Sequence, residues 1–350
     1  MDNGLQHVIF EKVSKQQRLP FLQIEVASMK EQEKKNNIYL ATKLFSFFDR
    51  LVSEIMYDSL ERVARLNQSS IYLPFRDSNQ KVSHKGNVAK NIFLADIKAL
   101  DKTDIFVTRL DGLSYDAGVG FEIGYCIAME VPIFVFSTDF MRTRIETKMY
   151  NISPLLTELA NVFIYEYMYD IEKSYYDELQ SNVMLFSNFV TDVLEDANFK
   201  KVPILKKIGM SAVPEVFIDI CGCKYEWSRR LSSEIESFLD ETGISYWTSS
   251  RYSTDYDYKC DFYALSMSKL MIVCYDENEP DIDSCILQGY AYKKEKTIVG
   301  YESSNVTYYV EGGQEMHVNF MLEQSCSHIV SDLKSIKKYI RAFMSYENKE

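Results

Sequence analysis

One short segment of the chain concentrates its glycines around a carboxylate. Only 13 of the 350 residues are glycine, yet Gly112, Gly118, Gly120 and Gly124 fall within 13 positions. They lie on both sides of Glu122. Glycine permits backbone conformations and close approaches that other residues resist. The segment is therefore predicted to form a tight loop, shaped around one carboxylate, that leads into a helix.

The flanking residues predict where this loop sits in a fold. Apolar runs at 104–110 and 132–136 read as strands on either side of a short helix. Parallel sheets keep their binding and catalytic groups beyond the carboxyl ends of the strands. Glu122 would lie near the helix N-terminus, where the positive end of the helix dipole favours an ionised carboxylate. Asp116 supplies a second carboxylate six residues earlier.

The run from Asp116 to Tyr125 resembles a motif of the nucleoside 2-deoxyribosyltransferase family, Asp-x-Gly-x-Gly-x-Glu-[Leu/Ile]-Gly-Tyr. Three upstream segments resemble the same family in the same order: 37–50, 73–80 and 96–104. Four motifs in order are more specific than any one of them. The resemblance covers residues 37–165.

The resemblance implies roles for three residues. Glu122 would be the nucleophile that forms a covalent deoxyribosyl ester, Asp96 the acid or proton shuttle at the base, and Tyr39 the group that orients Glu122. The residues alone leave plainer interpretations open. Glu122 also fits a surface glutamate that is stabilised by the helix dipole, and Asp96 fits a solvated helix residue. Tyr39 is one of 25 tyrosines, so it also fits an ordinary aromatic residue at a strand end.

The resemblance also implies a set of substrate-binding residues: Asp116, Gly118, Gly120, Phe45, Asp77, Asn319 and Met321. Lys43 is a further candidate, although the family often has a glycine in this loop. Related nucleoside-monophosphate N-glycosidases tend to carry serine where this chain has Asp116. An aspartate would repel a 5′-phosphate and accept a hydrogen bond from a free 5′-hydroxyl, which favours nucleosides. Asp116 also fits a residue that shapes the turn. Lys43 keeps phosphate-bearing or NAD-like substrates open.

The second half of the chain repeats the first at an offset of 165 residues. Over 96–136 the two copies share nine identities in 41 positions without a gap, including the pairs Asp116/Asp281 and Gly124/Gly289. Leu287 replaces the glutamate, and Asp283 and Cys285 replace two of the loop glycines. The second copy is therefore predicted to be degenerate and noncatalytic.

A family Asn-x-Met element, contributed to the sugar pocket by a neighbouring subunit, has a counterpart in the second copy. Asn319-Phe-Met321 has this form, whereas Asn151-Ile-Ser153 in the first copy keeps only the asparagine. The second copy would then lend Asn319 and Met321 to the first pocket. As a bare tripeptide, the element fits the start of any helix equally well.

The alternation of strands and helices predicts an α/β protein with two tandem flavodoxin-like doubly wound parallel-sheet repeats. We expect four regions: an N-terminal extension (1–36), a catalytic domain (37–165), a helical linker (166–214) and the degenerate copy (215–350). Helices are predicted at 47–66, 174–199, 229–242 and 327–345, and second-copy strands at 215–221, 269–275 and 297–301. The repeats should pack as an intramolecular pseudo-dimer, and further association of chains stays open.

Charge and composition weigh against several classes of protein. The net charge of −12 disfavours binding to nucleic-acid phosphates and to anionic membranes. The chain shows neither a signal pattern nor a run of about 18 apolar residues, so a cytoplasmic protein is expected. Seven scattered cysteines fit reduced thiols, and no metal site or organic cofactor is predicted.

The expected activity is N-glycosidic bond cleavage with deoxyribosyl transfer between nucleobases. The partners would be a nucleoside or nucleotide substrate and a free nucleobase. Two alternatives stay open at this point. One is a nucleotide or NAD N-glycoside hydrolase on the same fold, and the other is a noncatalytic nucleotide-sensing module.

Overall fold

A computed structural model describes most of the chain beyond the N-terminal segment. The described residues are 36–66, 69–77, 87–111, 115–139, 143–145, 148–150, 152–164, 174–195, 213–253, 256–275, 281–303, 308–310, 314–316 and 318–347. All of these described residues belong to one compact unit.

The first copy is built on a five-stranded parallel sheet. Its strands are β1 (Asn37–Ala41), β2 (Ser70–Tyr72), β3 (Ile105–Arg109), β4 (Ile133–Ser137) and β7 (Asn161–Ile164). They lie in the order β2-β1-β3-β4-β7, which is the flavodoxin-like 2-1-3-4-5 arrangement. A hairpin of β5 (Thr143–Ile145) and β6 (Lys148–Tyr150) is inserted after β4.

The second copy repeats this sheet. Its strands are β8 (Val216–Asp219), β9 (Tyr246–Thr248), β10 (Leu270–Cys274), β11 (Thr297–Tyr301) and β14 (His328–Val330). They lie in the equivalent parallel order β9-β8-β10-β11-β14, and the hairpin recurs as β12 (Tyr308–Val310) and β13 (Gln314–Met316). The prediction of two tandem flavodoxin-like α/β repeats is confirmed.

Helices cover both faces of each sheet. In the first copy they are α1 (Phe47–Leu66), α2 (Pro74–Asp77), α3 (Val88–Leu100), α4 (Ala117–Ala128), α5 (Pro154–Leu159) and α6 (Tyr175–Glu195). In the second they are α7 (Glu226–Thr242), α8 (Tyr258–Met267), α9 (Ile282–Lys293), α10 (Phe320–Ser325) and α11 (Leu333–Glu347). α1 and α6 pack on one face of the first sheet, as α7 and α11 do on the second.

The two copies share one hydrophobic core where α4 packs against α9. The helices touch through their backbones at two related glycines. A Cβ on Gly124 would lie 1.8 Å from the carbonyl oxygen of Ile286, and a Cβ on Gly289 would lie 1.9 Å from that of Phe121. Only glycine allows so close an approach. The two identical glycines of the repeat therefore form a pseudo-two-fold contact, as expected for an intramolecular pair.

Several predicted elements end elsewhere in the structure. The C-terminal helix begins at Leu333, because His328–Val330 pairs with β11 as an edge strand. Helix α6 is described to Glu195, and the predicted end at 199 lies outside the described residues. The strand predicted at 215–221 ends at Asp219. Cys221–Cys223 forms a 3₁₀ turn instead, with Gly222 at φ 53°.

Helix α1 has the predicted bounds, and one of its apolar stripes faces the core. Val52, Met56 and Leu60 are buried, whereas Phe48 and Leu51 are exposed. Within the described ranges, no helix has both the length and the apolar character needed to span a bilayer.

Candidate active site

The helix that carries Glu122 begins at a side-chain cap. Asp116 precedes α4, and its Oδ1 accepts hydrogen bonds from the backbone N–H groups of Gly118 (2.8 Å) and Val119 (3.1 Å). The first turn of a helix leaves such N–H groups without partners, so the cap stabilises the helix start. The turn-shaping interpretation of Asp116 is therefore confirmed, and the carboxylate is held at the carboxyl end of β3.

Glu122 lies in the second turn of α4 and is only 5% exposed. The buried Tyr39 hydroxyl, from β1, donates a hydrogen bond of 2.6 Å to Glu122 Oε1. The Tyr39 ring stacks on Phe106 of the neighbouring strand, with centroids 5.6 Å apart. Because the ring is packed on a strand, the phenol fixes one carboxylate oxygen of Glu122.

Burial controls the protonation of Glu122. Removal from water raises its pKa well above the usual value, the nearby carboxylate of Asp96 raises it further, and the Tyr39 hydrogen bond lowers it. The expectation that the helix dipole would favour the ionised form is wrong, since desolvation outweighs the dipole. Burial and repulsion by the Asp96 carboxylate thus act together to favour the protonated form of Glu122.

Asp96 is the second buried carboxylate, 2% exposed on α3. The Tyr72 hydroxyl donates a hydrogen bond of 2.9 Å to Asp96 Oδ1. The solvated interpretation of Asp96 is therefore wrong. Two phenol–carboxylate pairs stand side by side, because Tyr72 is the strand partner of Tyr39 and their ring centroids are 5.2 Å apart.

A buried arginine lies at the end of β3 and was missed by the sequence analysis. Arg109 is 8% exposed, and its Nη2 lies 2.6 Å from Asp49 Oδ1 while its Nε lies 3.6 Å from Asp111 Oδ2. The exposed Phe48 ring lies over the guanidinium at 5.9 Å. The sequence did contain a signal for it: Arg109 is a charged residue at the end of an apolar strand that leads to the predicted site. Its charge is already opposed by two carboxylates.

Asp116 is also electrostatically coupled to Lys43. Burial raises the pKa of Asp116, whereas the Val119 and Gly118 N–H groups and the Lys43 ammonium lower it. Lys43 and Arg109 face Asp49, Asp111 and Asp116 in this part of the site. Counted over the described residues alone, these two cations and three carboxylates carry about one unit of net negative formal charge, which opposes a phosphate group.

The other predicted substrate-binding residues have diverse surroundings. Phe45 is 60% exposed on the loop after β1. Asp77 Oδ2 accepts a hydrogen bond of 2.9 Å from the backbone N–H of Leu73 and so organises its own loop. Gly120 faces α9, since a Cβ there would lie 2.8 Å from Cys285 Cβ. A role for Gly120 in shaping a sugar pocket stays a prediction.

The second copy reaches the start of α4 through Asn319. A Cβ on Gly118 would lie 3.2 Å from both Nδ2 and Oδ1 of Asn319, so this glycine leaves the space that the amide occupies. Asn319 also caps α10, because its Oδ1 accepts a hydrogen bond of 2.9 Å from the Met321 N–H. Met321 itself is buried in the shared core.

The counterpart of Asn319 in the first copy is Ser153, not Asn151. Ser153 caps α5 as Asn319 caps α10, and both helices precede the last strand of their sheet. The choice of Asn151 from the tripeptide alone was therefore wrong by two positions, and Asn151 lies outside the described residues.

The second pocket keeps one carboxylate and loses the other. Strand register places Phe217 where the first copy has Tyr39, and Leu287 on α9 stands where α4 has Glu122. Asp261 matches Asp96 and remains buried. Its carboxylate accepts hydrogen bonds from Trp247 Nε1 (2.7 Å), on the strand position that matches Tyr72, and from Ser249.

The second pocket also contains a buried arginine, Arg251, beside three aspartates. Arg251 is 1% exposed and contacts Asp219 through Nη1, Asp281 through Nη2 at 2.6 Å, and Asp283 through Nε at 3.9 Å. Strand register places Asp219 where the first copy has Ala41. The 165-residue offset places Asp281 at the position of Asp116 and Asp283 at the position of Gly118. Buried ion pairs occupy the space that is shaped by small residues in the first copy.

Burial raises the pKa values of two aspartates in the second pocket. Burial and the neighbouring Asp281 raise the pKa of Asp283 to about 7, against the opposing effects of Arg251 and Ser153. Burial likewise raises the pKa of Asp261 to about 6. Among the described residues, no group of three or more His, Cys, Asp or Glu side chains is arranged to hold a metal ion, and the seven cysteines are free.

One family model matches part of the chain. The nucleoside 2-deoxyribosyltransferase family model matches residues 38–175. A conserved protein from Enterococcus faecalis V583 is 28% identical, over 33% of this chain and 70% of that chain, with a TM-score of 0.28. A 2-deoxyribosyltransferase from Bacillus psychrosaccharolyticus is 20% identical, over 41% of this chain and 95% of that chain, with a TM-score of 0.29. No curated protein matches.

Proposed function

We propose that residues 38–175, which match the nucleoside 2-deoxyribosyltransferase family model, cleave the N-glycosidic bond of a nucleoside and transfer the deoxyribosyl group to another base. The observation that carries the proposal is the hydrogen bond from Tyr39 to the buried Glu122, beside a second buried carboxylate at Asp96. Two carboxylates in different surroundings can divide nucleophilic and acid work between them.

In the proposed first step, Glu122 attacks the anomeric carbon of the sugar. A new carbon–oxygen bond forms on the carboxylate, and the carbon–nitrogen bond breaks with its electron pair leaving on the base. Asp96 supplies the proton that the departing base takes up. Glu122 must be ionised to attack, and Asp96 must be protonated to act as the acid. The step therefore requires one proton on the pair, carried by Asp96. Tyr39 keeps the attacking carboxylate oriented.

In the second step, a nitrogen of an incoming base attacks the glycosyl ester and Glu122 leaves as a carboxylate. The incoming base returns its proton to Asp96, which restores the starting state. Water in place of the base would give hydrolysis. Incubation with deoxynucleosides, with and without a second free base, followed by chromatography separates transfer from hydrolysis, and absence of any base release would refute both.

We further propose that the second copy is noncatalytic and supports the first. The replacement of Tyr39 and Glu122 by Phe217 and Leu287 removes the nucleophile and its partner. Buried Arg251 contacts the aspartates at the positions of Ala41, Asp116 and Gly118, where it would compete with a sugar for space. The predicted regions, 37–165 as the catalytic domain and 215–350 as the degenerate copy, are kept in this proposal.

The charge at the sugar end favours nucleosides over nucleotides. Asp116→Ser should raise the ratio of kcat/KM for a 5′-monophosphate to that for the nucleoside by about tenfold or more. Two like charges ~4 Å apart at an effective dielectric of about 20 repel by ~4 kcal/mol, and Lys43 offsets part of this. Serine is also a good helix cap, so α4 should still begin at the same place.

Asp332→Ser is the matched control for that experiment. Asp332 accepts the N–H of Ser335 at 2.8 Å at the start of α11, so the substitution likewise replaces a capping aspartate by serine. We expect no change in the substrate ratio. A wild-type preference for monophosphates would instead favour the nucleotide hydrolase and make Lys43 a phosphate ligand.

The contribution of the second copy can be tested at Asn319. Asn319→Ser should lower kcat/KM by about tenfold or more, the equivalent of a lost hydrogen bond worth ~1–3 kcal/mol. Serine should still cap α10, as Ser153 caps α5, so the unfolding midpoint should hold. Ser153→Ala at the related position of the second pocket is the control and should leave kcat/KM nearly unchanged. Equal losses in both variants would contradict the asymmetry.

A further inference from the structure

A stripe of basic residues runs along the last helix of the second copy. It consists of Lys334, Lys337, Lys338 and Arg341, which recur on α11 at intervals of three and four residues and therefore share one face. The sequence from 333 to 346 contains no acidic residue, although the chain as a whole carries a net charge of −12. The stripe is thus a local excess of positive charge on an acidic protein.

A buried aromatic ring anchors one side of this stripe. The Lys337 Nζ and the Arg341 guanidinium lie 5.7 and 4.8 Å from the centroid of the Phe238 ring on α7. Lys334 and Lys338 are exposed on the same face. Long basic side chains can pack their stems on apolar surface and keep their charged ends in water. The four charges are therefore available to a ligand from solvent.

The protein supplies little negative charge to this face. The carboxylate of Asp332 caps the start of α11 and interacts with Lys334 through its charge. Within the described part of the chain, none of the four basic groups forms an ion pair. An anion can therefore bind here without breaking an existing ion pair among those residues.

The first copy shows that the fold does not require a basic stripe at this place. The equivalent helix is α6, which also follows the last strand and covers the same side of its sheet. Its 21 residues include no lysine or arginine, and its first turn carries Asp177 and Glu178. A helix can thus cover the sheet without these cations. The stripe belongs to the second copy alone and calls for a role other than folding.

We propose that the stripe on α11 binds a compact oligophosphate, the group that nucleoside di- and triphosphates carry. The four basic side chains and Leu333 line an open cavity with a volume of about 440 Å³. This volume lies within the range of small-molecule sites, roughly 300–1,000 Å³. The site would give the noncatalytic copy a binding function of its own, independent of the reaction proposed for the first copy.

The dimensions and charge of the protein favour a compact anion over a polymer. The stripe spans seven residues of helix rise, or about 10 Å. A nucleic acid or an anionic membrane would extend beyond it and meet a protein whose net charge is −12. Lysine binds phosphate as a point charge, and arginine can donate two hydrogen bonds to one phosphate. Several phosphates joined in one chain can meet several of these groups at once.

Titration calorimetry of the full-length protein with sodium tripolyphosphate tests the proposal. Lys334→Gln/Lys338→Gln removes the two exposed charges and leaves the contacts with Phe238 in place. It should raise Kd by about tenfold or more, because each lost charge faces a ligand with several charges. Lys334→Arg/Lys338→Arg keeps both charges and should hold Kd within about threefold of the wild type.

Lys98→Gln/Lys102→Gln is the matched control. This pair is also exposed and four residues apart, but it lies at the end of α3 in the first copy. It should change Kd by less than about twofold, because salt screens charges that are distant from the ligand. For the same reason, raising NaCl from about 50 to about 200 mM should weaken wild-type binding severalfold.

A second ligand identifies the source of the oligophosphate. If dATP binds and loses affinity in Lys334→Gln/Lys338→Gln, a nucleotide is the ligand, and if tripolyphosphate alone does so, the free anion is. Absence of binding by both, or equal effects of the two glutamine pairs on Kd, would overturn the proposal. A short DNA duplex or phosphatidylserine vesicles that bind this face more tightly than tripolyphosphate would also overturn it. None of these measurements depends on base exchange, so a failure of the proposed reaction is distinguished from a failure of this site.

Discussion

Glu122→Gln should lower deoxyribosyl transfer by about 10⁴-fold or more while the protein remains folded. The amide is nearly the same size and can still accept the Tyr39 hydrogen bond, but it cannot form the glycosyl ester, and removal of a covalent catalyst has effects of this scale. The carboxylate is desolvated, with its pKa raised mainly by burial. The neutral amide should therefore leave the thermal midpoint unchanged or raise it. Initial rates of base exchange measure the activity.

A second glutamate provides the control for this experiment. Glu158→Gln makes the same chemical change at an exposed position on α5 and should keep full activity. A 2-fluoro-2-deoxy sugar should label the wild-type protein at Glu122, and mass spectrometry of peptides from 215–350 should find no label. Retention of more than about a tenth of the activity by Glu122→Gln would mean that another group is the nucleophile.

Much of the fold follows from patterns that the sequence displays. Apolar runs alternate with amphipathic helices, and the offset of 165 residues aligns α4 with α9, whose bounds differ by that same number. Gly124 and Gly289 are paired in the sequence repeat and in the helix contact. Glu130 and Glu295, also identical in the repeat, both adopt positive φ (60° and 57°) just after these helices. Identities at landmark positions therefore predicted real structural equivalence.

The partners of the carboxylates were less predictable. Tyr72 and Arg109 approach the site from strands, and their side chains reach it only once strand register is fixed. The sequence contains 25 tyrosines, so residue type alone could not select Tyr72. The missing information was the strand register, which pairs Tyr72 with Tyr39. Register depends on contacts between distant parts of the chain, which a local pattern does not contain.

Short helices account for the remaining errors. The tripeptide Asn-x-Met pointed to Asn319, whose side chain lies beside Gly118 at the start of α4; its role in binding substrate stays a prediction. The same search selected Asn151 in the first copy, although the fold gives this place to Ser153. Serine and asparagine both cap helices well. A cap position is conserved in function even where its residue changes, and a residue-type search overlooks it.

The second pocket leads to the other large prediction. Arg251→Met should lower the free energy of unfolding by about 3–5 kcal/mol at neutral pH, because removal of one partner leaves buried carboxylates without their cation. Asp219 and Asp281 lie in direct contact with the guanidinium, and Arg251 is 1% exposed. Chemical denaturation at pH 7 measures the effect. Arg229→Met is the control: its pair with Glu226 is exposed, and such pairs contribute about 0–1 kcal/mol.

The pH dependence of this loss distinguishes a charge effect from a packing effect. In the wild type, the pKa of Asp283 is raised to about 7, so the folded state binds more protons than the unfolded state between about pH 4 and 7. Stability from this group therefore falls as the pH rises through that range. Without Arg251, Asp283 loses the cation that lowers its pKa and should take up its proton at still higher pH. The difference in free energy of unfolding between the wild type and Arg251→Met should thus shrink steadily as the pH is lowered from 8 to about 5. A deficit that is the same at every pH would mean that Arg251 supports the second copy by filling space, not by its charge.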